Sequence, residues 1–415
     1  MGFLQDYLFY NEENECPRDY HLWSALVVLA SANGRRVYCN RGYNTLHAML
    51  YVTLVGKQGT RKSTAKDIAK DMFSEACPDI PIGAATQSRE DIVKFMSSEH
   101  CLRAMNINGE PIEYRPMCFF VNELKNWLSI NPGAMIEFLT DIYDRKYFDA
   151  STIKHGMQKI LHPCINILAC ETPEWIIDKL KSKIISGGFA RRMIYVYITD
   201  EEQTKRIAFP RPTAEMELAR QRCVKHLQKI ATISGEFSWS PDGYKFFEDW
   251  YNNMEKPEDE VMAGYYRSKH DQLIKVAMCL ALAEDDPKLV LTKDLLLLGL
   301  SMLDHIEKNM PLLSVAAGRN ELALPQQRIL EVLRMHNGYM REKALRQAID
   351  KDLPPNEQFI LFRHLETGLG LIKKITLYRK DVPFEEIWLV DALNTAINTN
   401  KIKLENTKLV WKNGP

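Results

Sequence analysis

No stretch of this 415-residue sequence approaches the roughly 20 consecutive apolar residues of a membrane-spanning helix, so no membrane span is expected. Its opening, MGFLQDYLFYNEENE, lacks the basic n-region of a secretory signal, and Asp6 stands where a myristoylation motif takes Ser or Thr. The nine cysteines are odd in number, scattered, and never form C-x-x-C. That pattern argues against a disulfide framework or a zinc site and points to reduced thiols in a cytoplasmic location. Charge surplus is missing too, since 54 Lys and Arg balance 54 Asp and Glu. A chain without net charge does not coat nucleic acid with its whole surface, although a local basic lining stays open. There is no internal repeat and no low-complexity tract. What is present is the composition of an ordinary globular protein, 46% hydrophobic and 26% charged. The length suits about two or three domains.

Hydrophobic patterning divides the chain. Residues 1–45 read as a helical segment, and YHLWSALVVLASANGRRVYC carries apolar positions on more than one face, which predicts a packed helix. From 46 to 207, helical stretches alternate with short apolar strands: MLYVTLV, MCFFV (117–121), CINILAC (164–170) and MIYVYI (193–198). Such alternation predicts an α/β domain with a mostly parallel sheet. AFPRPTAE (208–215), with its two prolines, marks a boundary, and residues 208–318 read as mostly helical. Residues 319–392 read as two short helices, a third in PNEQFILFRHLETGL, and two strands, LIKKITLY and EEIWLV, the order of a winged helix. The polar stretch 393–415 reads as a tail.

The motif with the clearest chemistry is LYVTLVGKQGTRKSTAKDIAKDMF, from Leu50 to Phe73. An apolar run ends in glycine and Lys-Ser-Thr opens a helical sequence, the layout of the P-loop G-x-x-x-x-G-K-[ST]. Such a loop turns successive backbone N–H groups toward phosphate oxygens in front of a helix N-terminus. Gly56 and Gly59 permit the tight path, Lys62 would reach the β- and γ-phosphates, and the Ser63 hydroxyl would ligate Mg²⁺. Thr60, Arg61 and Thr64 complete the ATP-binding segment. Arg61 departs from the pattern, standing where glycine is usual. Further on, RPMCFFVNELKNW brings Asn122 and Glu123 to the C-terminal edge of a strand, where open α/β sheets bind ligands. Glu123 is the expected base for the attacking water. Asn122 takes the metal-side place usually held by aspartate; it can hold a Mg²⁺-bound water but brings no charge.

The order of these motifs resembles that of AAA+ ATPases and, within them, the minichromosome maintenance helicases. It is more similar still to helicase-like ATPases of phages and mobile elements, which carry P-loops of the GTRKST kind. The resemblance covers roughly residues 15–390 and is strongest from 50 to 200. It implies an α/β AAA+ P-loop core with a mostly parallel sheet, a helical lid and a C-terminal winged helix, with ATP and Mg²⁺ as cofactors. It also makes Arg61 a family feature. In STIKHGMQKILHPCINILACETP it implies a hairpin whose Lys154, with His155 beside it and Lys159 nearby, grips DNA in a central pore without reading sequence. Thr172 falls at the γ-phosphate sensor, or equally forms a helix cap or turn before Pro173. Arg192, in SGGFARRMIYVYI, matches an arginine finger offered to a neighbouring subunit's nucleotide, which implies self-association, most often as a homo-hexamer. In GYYRSKHDQLIKVAMCLALA, Arg267 matches a second sensor arginine, with Lys269 as its rival. The winged helix offers Arg363 and His364, and its wing Lys373, Lys374, Arg379 and Lys380, to DNA or to a protein. Residues 321–415 hold 15 Lys and Arg against 12 Asp and Glu, only a small basic excess.

The resemblance thus implies an ATP-hydrolysing DNA helicase or translocase of phage or mobile-element replication, acting on single-stranded or forked DNA. No primase-type metal cluster occurs in the chain, so a separate primase or initiator is the expected partner. The neutral Asn122 favours an alternative, a slow-turnover helicase loader or initiator scaffold without motor activity. Arg192 and the winged helix speak against a metabolic or signalling P-loop enzyme.

Overall fold

Short, mostly apolar strands bounded by helices demand a sheet covered on both faces. The computed structural model has such a sheet at the centre of its first unit, Met1–Ser314; a second unit comprises Val315–Pro415. The described residues are 2–107, 109–129, 131–152, 156–181, 188–199, 206–254, 260–310, 323–349, 362, 365–366, 371–379, 382–399, 401–405 and 408–411.

The first unit opens with α1 (Phe3–Tyr10), α2 (Arg18–Asn33) and a hairpin, β1 (Val37–Arg41) and β2 (Asn44–His47). Next come β3 (Tyr51–Val55), α3 (Lys62–Ala76), α4 (Arg89–Ser97), β4 (Arg103–Ile107), β5 (Glu110–Val121), the single-turn α5 (Leu124–Trp127) and α6 (Pro132–Ile142). A second hairpin, β6 (Tyr147–Thr152) and β7 (Gly156–Leu161), leads to β8 (Pro163–Glu171), α7 (Pro173–Lys181) and β9 (Met193–Tyr197). The helices α8 (Ala214–Ile230), α9 (Pro241–Asn252), α10 (Glu260–Leu282) and α11 (Lys293–Glu307) follow. Between them lie the two-residue strands β10 (Gly235–Glu236), β11 (Ser238–Trp239) and β12 (Val290–Leu291).

The main sheet has the order β4-β5-β8-β3-β9 and is parallel except for β4. Every residue of β3 and β8 is buried. Val55 is aligned with Glu171 and with Tyr197, and Val121 with Ala169, so the four parallel strands end along one edge. β5 begins at Glu110, well before the apolar run at 117–121, because a turn at Gly109 (φ 88°) folds its polar half against β4.

Helical character in residues 1–45 stops at Asn33. Residues 37–47 form the β1–β2 hairpin, turned at Gly42 (φ 65°), and β1 pairs in parallel with β10. From Tyr20 to Asn33 helix α2 is buried except at Leu22, which is the burial that apolar positions on several faces predict. It packs on α3, α8, α10, β3 and β8. One core therefore runs from Phe3 to Ile306, and the N-terminal segment, the sheet and the helices after residue 208 are a single unit rather than three modules.

A buried polar network joins α10 to α11. Lys269 Nζ lies 2.6 Å from Asp304 and 2.7 Å from Glu307, and the Tyr265 hydroxyl donates to Glu307 at 2.8 Å. Lys269→Met should lower stability by about 3–5 kcal/mol in urea denaturation, because Glu307 is then buried without its cation. A loss under about 1 kcal/mol would show that the pair's charge is dispensable.

In the second unit, α12 (Ala323–Met335), β13 (Tyr339–Arg341), α13 (Glu342–Ile349), β14 (Ile372–Arg379) and β15 (Val382–Leu389) follow one another, and β15 pairs antiparallel with both β13 and β14. Most of the third helix expected in PNEQFILFRHLETGL, with Arg363 and His364, lies outside the described residues, as does Lys380. The expected tail is instead α14 (Val390–Asn398) and a hairpin, β16 (Ile402–Glu405) and β17 (Lys408–Trp411). The hairpin extends the sheet in the order β13-β15-β14-β17-β16. Leu393, Ala396 and Ile402 bury themselves with Trp388, but among polar neighbours they make no continuous apolar run. Among the described residues no helix is long and apolar enough to cross a membrane.

Candidate nucleotide site

The glycine loop starts where β3 ends. A Cβ on Gly56 would stand 2.3 Å from the Tyr20 hydroxyl and 2.8 Å from the Thr60 hydroxyl oxygen, so close approach, not a positive φ, demands glycine there. Tyr20, from α2, donates its hydroxyl to the Val55 carbonyl at 2.7 Å. The Thr60 hydroxyl donates to the Lys57 carbonyl at 2.8 Å, Gly59 takes φ 88°, and α3 begins at Lys62. The Lys62 ammonium turns into the loop, donating to the carbonyls of Gly56 (2.5 Å) and Lys57 (2.7 Å) and to the Thr60 hydroxyl (3.1 Å). Burial lowers its pKa from the ordinary lysine value, while the nearby carboxylates of Glu171 and Glu174 act the other way.

Arg61 explains its own departure from the pattern. Its backbone is left-handed (φ 62°, ψ 19°), the conformation that glycine adopts freely. The side chain leaves the loop and pairs with Glu15, at 2.8 Å from Nε and 2.6 Å from Nη2, while the Arg61 carbonyl accepts from the Cys16 thiol at 3.1 Å. Glu15 also accepts the Ile207 N–H at 3.1 Å, tying the α1–α2 connection to the segment before α8. Arg61→Gly should therefore keep binding of an ATP analogue and leave thermal stability equal or higher by up to about 1 kcal/mol. Arg61→Val, β-branched in a left-handed position, should cost about 1–2 kcal/mol. Loss of analogue binding in the glycine variant would place the guanidinium in the site itself.

The donor set fits a nucleotide phosphate. A flexible ammonium and the first-turn N–H groups of α3 at Lys62, Ser63 and Thr64, which have no acceptor within the helix, open on one loop. Among the described residues no group of three or more His, Cys, Asp or Glu could hold a metal ion alone. Mg²⁺ takes one or two protein oxygens and completes its shell with phosphates and water. Ser63 and Asn122, both exposed, would hold it.

At the same edge of the sheet, with β8 between it and β3, β5 is followed by Asn122 and Glu123, both open to solvent. Glu123 Oε2 accepts the Asn126 amide at 2.6 Å and lies 3.3 Å from the Lys125 ammonium. Thr172, half-buried after β8, donates its N–H to Glu171 at 2.8 Å, and its carbonyl accepts the Ile176 N–H at 3.4 Å, at the start of α7. Thr172 thus stands where α7 begins.

No protein-family model matches the chain, and no curated protein matches it significantly.

The remaining candidates stand at the other edge of the sheet. Arg192 directly precedes β9, whose Met193 is paired with Tyr51 and Tyr197 with Val55, so a strand length of roughly 13 Å separates it from the glycine loop. Arg192 Nη1 donates to the Gly188 carbonyl at 2.6 Å, and the guanidinium lies over the Tyr143 ring at 5.7 Å. Gln272 of α10 donates to the Arg191 carbonyl at 2.8 Å. Arg191, Arg192 and Arg267 line one cavity of about 1350 Å³ together with His47, Asp144 and Tyr147, and no residue of the glycine loop lines it. With Lys269 tied up between α10 and α11, Arg267 is the exposed cation of the two rivals.

Hairpin β6–β7 turns Tyr147, Asp149, Ser151, Met157 and Lys159 to solvent on one face, and packs Phe148 edge-on against Phe138 on the other. The Lys159 ammonium lies over the Tyr147 ring at 5.2 Å. Lys154 and His155 fall outside the described residues. In the second unit Lys373 is exposed, Lys374 is held by Glu342 (2.7 Å) and Glu385 (2.9 Å), and the Arg379 side chain is outside the described set.

Sequence reasoning missed the loop's supports. Glu15, Cys16 and Tyr20 lie more than 30 residues upstream in helical or polar sequence, and nothing local marks them as loop contacts. Glu171 had a signal, since an acidic residue closing a mostly apolar strand is unusual.

Proposed function

We propose that this chain is an ATP hydrolase of the AAA+ kind, a ring-forming DNA helicase or translocase of a phage or mobile element. The polarity of the sheet carries the reading. Lys62, Ser63, Glu123 and Thr172 follow strands at one edge, whereas Arg192 and Arg267 stand at the other, a strand length from their own loop. Cations so placed serve the nucleotide of another subunit, which requires a ring or filament, here a homo-hexamer.

ATP with Mg²⁺ supplies the transferable phosphoryl group and the anion that the loop takes. Lys62 would exchange the carbonyls of Gly56 and Lys57 for phosphate oxygens, and Ser63 with Asn122 would hold the metal. Glu123 accepts the proton of the attacking water and Thr172 orients it. Arg192 and Arg267 of the adjoining subunit stabilise the charge that develops. The hairpin bearing Lys154, His155 and Lys159 holds the DNA backbone through phosphate contacts. The motor works in the cytoplasm beside a separate primase or initiator.

ATP hydrolysis measured with and without single-stranded DNA tests this reading, with strong stimulation expected. Light scattering should show a hexamer with Mg·ATP; a monomer under every condition would overturn the assignment of Arg192. The neutral Asn122 favours a second reading, a loader or initiator scaffold. That protein would assemble with ATP, turn over slowly, and fail to displace a strand from a forked duplex.

A further inference from the structure

Glu171 closes β8 with a carboxylate only 2% exposed. Its partners are backbone groups: one oxygen accepts the Thr172 N–H at 2.8 Å, the other the Lys125 N–H at 2.7 Å. Its own carbonyl accepts the Gly56 N–H at 3.2 Å. One residue thus bonds the first residue of the glycine loop, the turn that carries Asn122 and Glu123, and Thr172. Burial raises the pKa of this carboxyl above the ordinary glutamate value, so ionising it there works against its surroundings. A buried carboxylate held by neutral donors costs more than an amide or an apolar side chain in the same space. Packing alone gives no reason for it.

We propose that Glu171 is a positioning residue for hydrolysis, whose two oxygens fix the Glu123 turn and Thr172 against the start of the glycine loop. The inference rests on the ATPase reading of this site. Both partners are N–H donors, so two acceptor oxygens are required. Glutamine has the same shape but one oxygen; whichever N–H meets its NH₂ loses its acceptor and is pushed away. The water-activating carboxylate then moves relative to the phosphate site. Phosphate binding relies on Lys62 and the first turn of α3, neither of which is bonded to the Glu171 side chain.

Glu171→Gln in the full chain should lower kcat by about 10²-fold, the scale expected for a misplacement near 1 Å. The Kd of a fluorescent ATP analogue with Mg²⁺ should change by less than about threefold, because the Glu171 side chain is a nearby charge for Lys62 and not a bonded partner of it or of the first turn of α3. Hydrogen exchange at the Lys125 amide should quicken. An unchanged kcat would overturn the proposal, and so would a loss of analogue affinity as large as the loss of kcat, the mark of general damage. If Glu171→Gln does not fold, Glu171→Asp, which keeps the charge but shortens its reach by one methylene, decides by the same split. A parent chain that neither binds nor hydrolyses ATP refutes the ATPase reading itself. Parent turnover alongside an unimpaired Glu171→Gln refutes only the role of Glu171.

Discussion

Glu123→Gln should bind Mg·ATP with the parent's affinity and hydrolyse it about 10²–10⁴ times more slowly, the usual contribution of a positioned general base. The residue follows a strand that runs parallel to β8 and ends at the same edge as the glycine loop. Its carboxylate is exposed and, among the described residues, is held by Asn126 and Lys125, so it can reach a water at that edge. The amide cannot accept a proton, yet it keeps the shape and the contact with Asn126. Affinity should therefore survive while turnover falls, as filter binding and a phosphate-release assay would register. A glutamine variant as active as the parent would remove Glu123 from the chemistry. Turnover would then need another base, and Asn122 cannot be one.

Arg192→Ala should lower turnover by about 10³–10⁵-fold, the range for an arginine finger. Mixing tells more than the single variant. Lys62→Ala spoils the phosphate loop and keeps the finger; Arg192→Ala does the reverse. Where a subunit of the second kind receives the finger of the first, one interface has both groups, so two inactive preparations should regain part of the activity when co-assembled. Were both groups needed within one chain, the mixture would stay inactive. The strand length between Met193 and Tyr197 is the reason to expect recovery, since a side chain anchored at the start of β9 does not span to Gly56. The contacts of Arg192 with Gly188 and Tyr143 hold it at the cavity rather than folded back over the sheet.

Several elements were legible without any coordinates. Mostly apolar runs such as YVTLV and CINILAC, interrupted by Thr53 and Asn166, have only one comfortable place, the middle of a covered sheet, and they became β3 and β8. Helix α2, apolar on several faces, had to be buried. The glycine loop was readable because its chemistry is local: strand, glycines, lysine and helix lie within 24 residues from Leu50 to Phe73.

Other features depend on partners distant in sequence. The β1–β2 hairpin and the strands after residue 400 are short and half polar, and they are held by pairing with β10 and β14, which no local pattern announces. Arg61 reads as an error until Glu15, 46 residues away, is seen to hold its side chain outside a left-handed turn. Lys269 and Arg267 are indistinguishable as letters two apart; only the packing of α10 on α11 buries one and exposes the other. The sequence alone marked the most apolar strands, the buried helix and a glycine-lysine loop in front of a helix, because those follow from local periodicity and motif. Tertiary structure decided that Glu171 bonds three loops and that Arg192 faces away from its own Lys62, because strand order and register are set by long-range pairing.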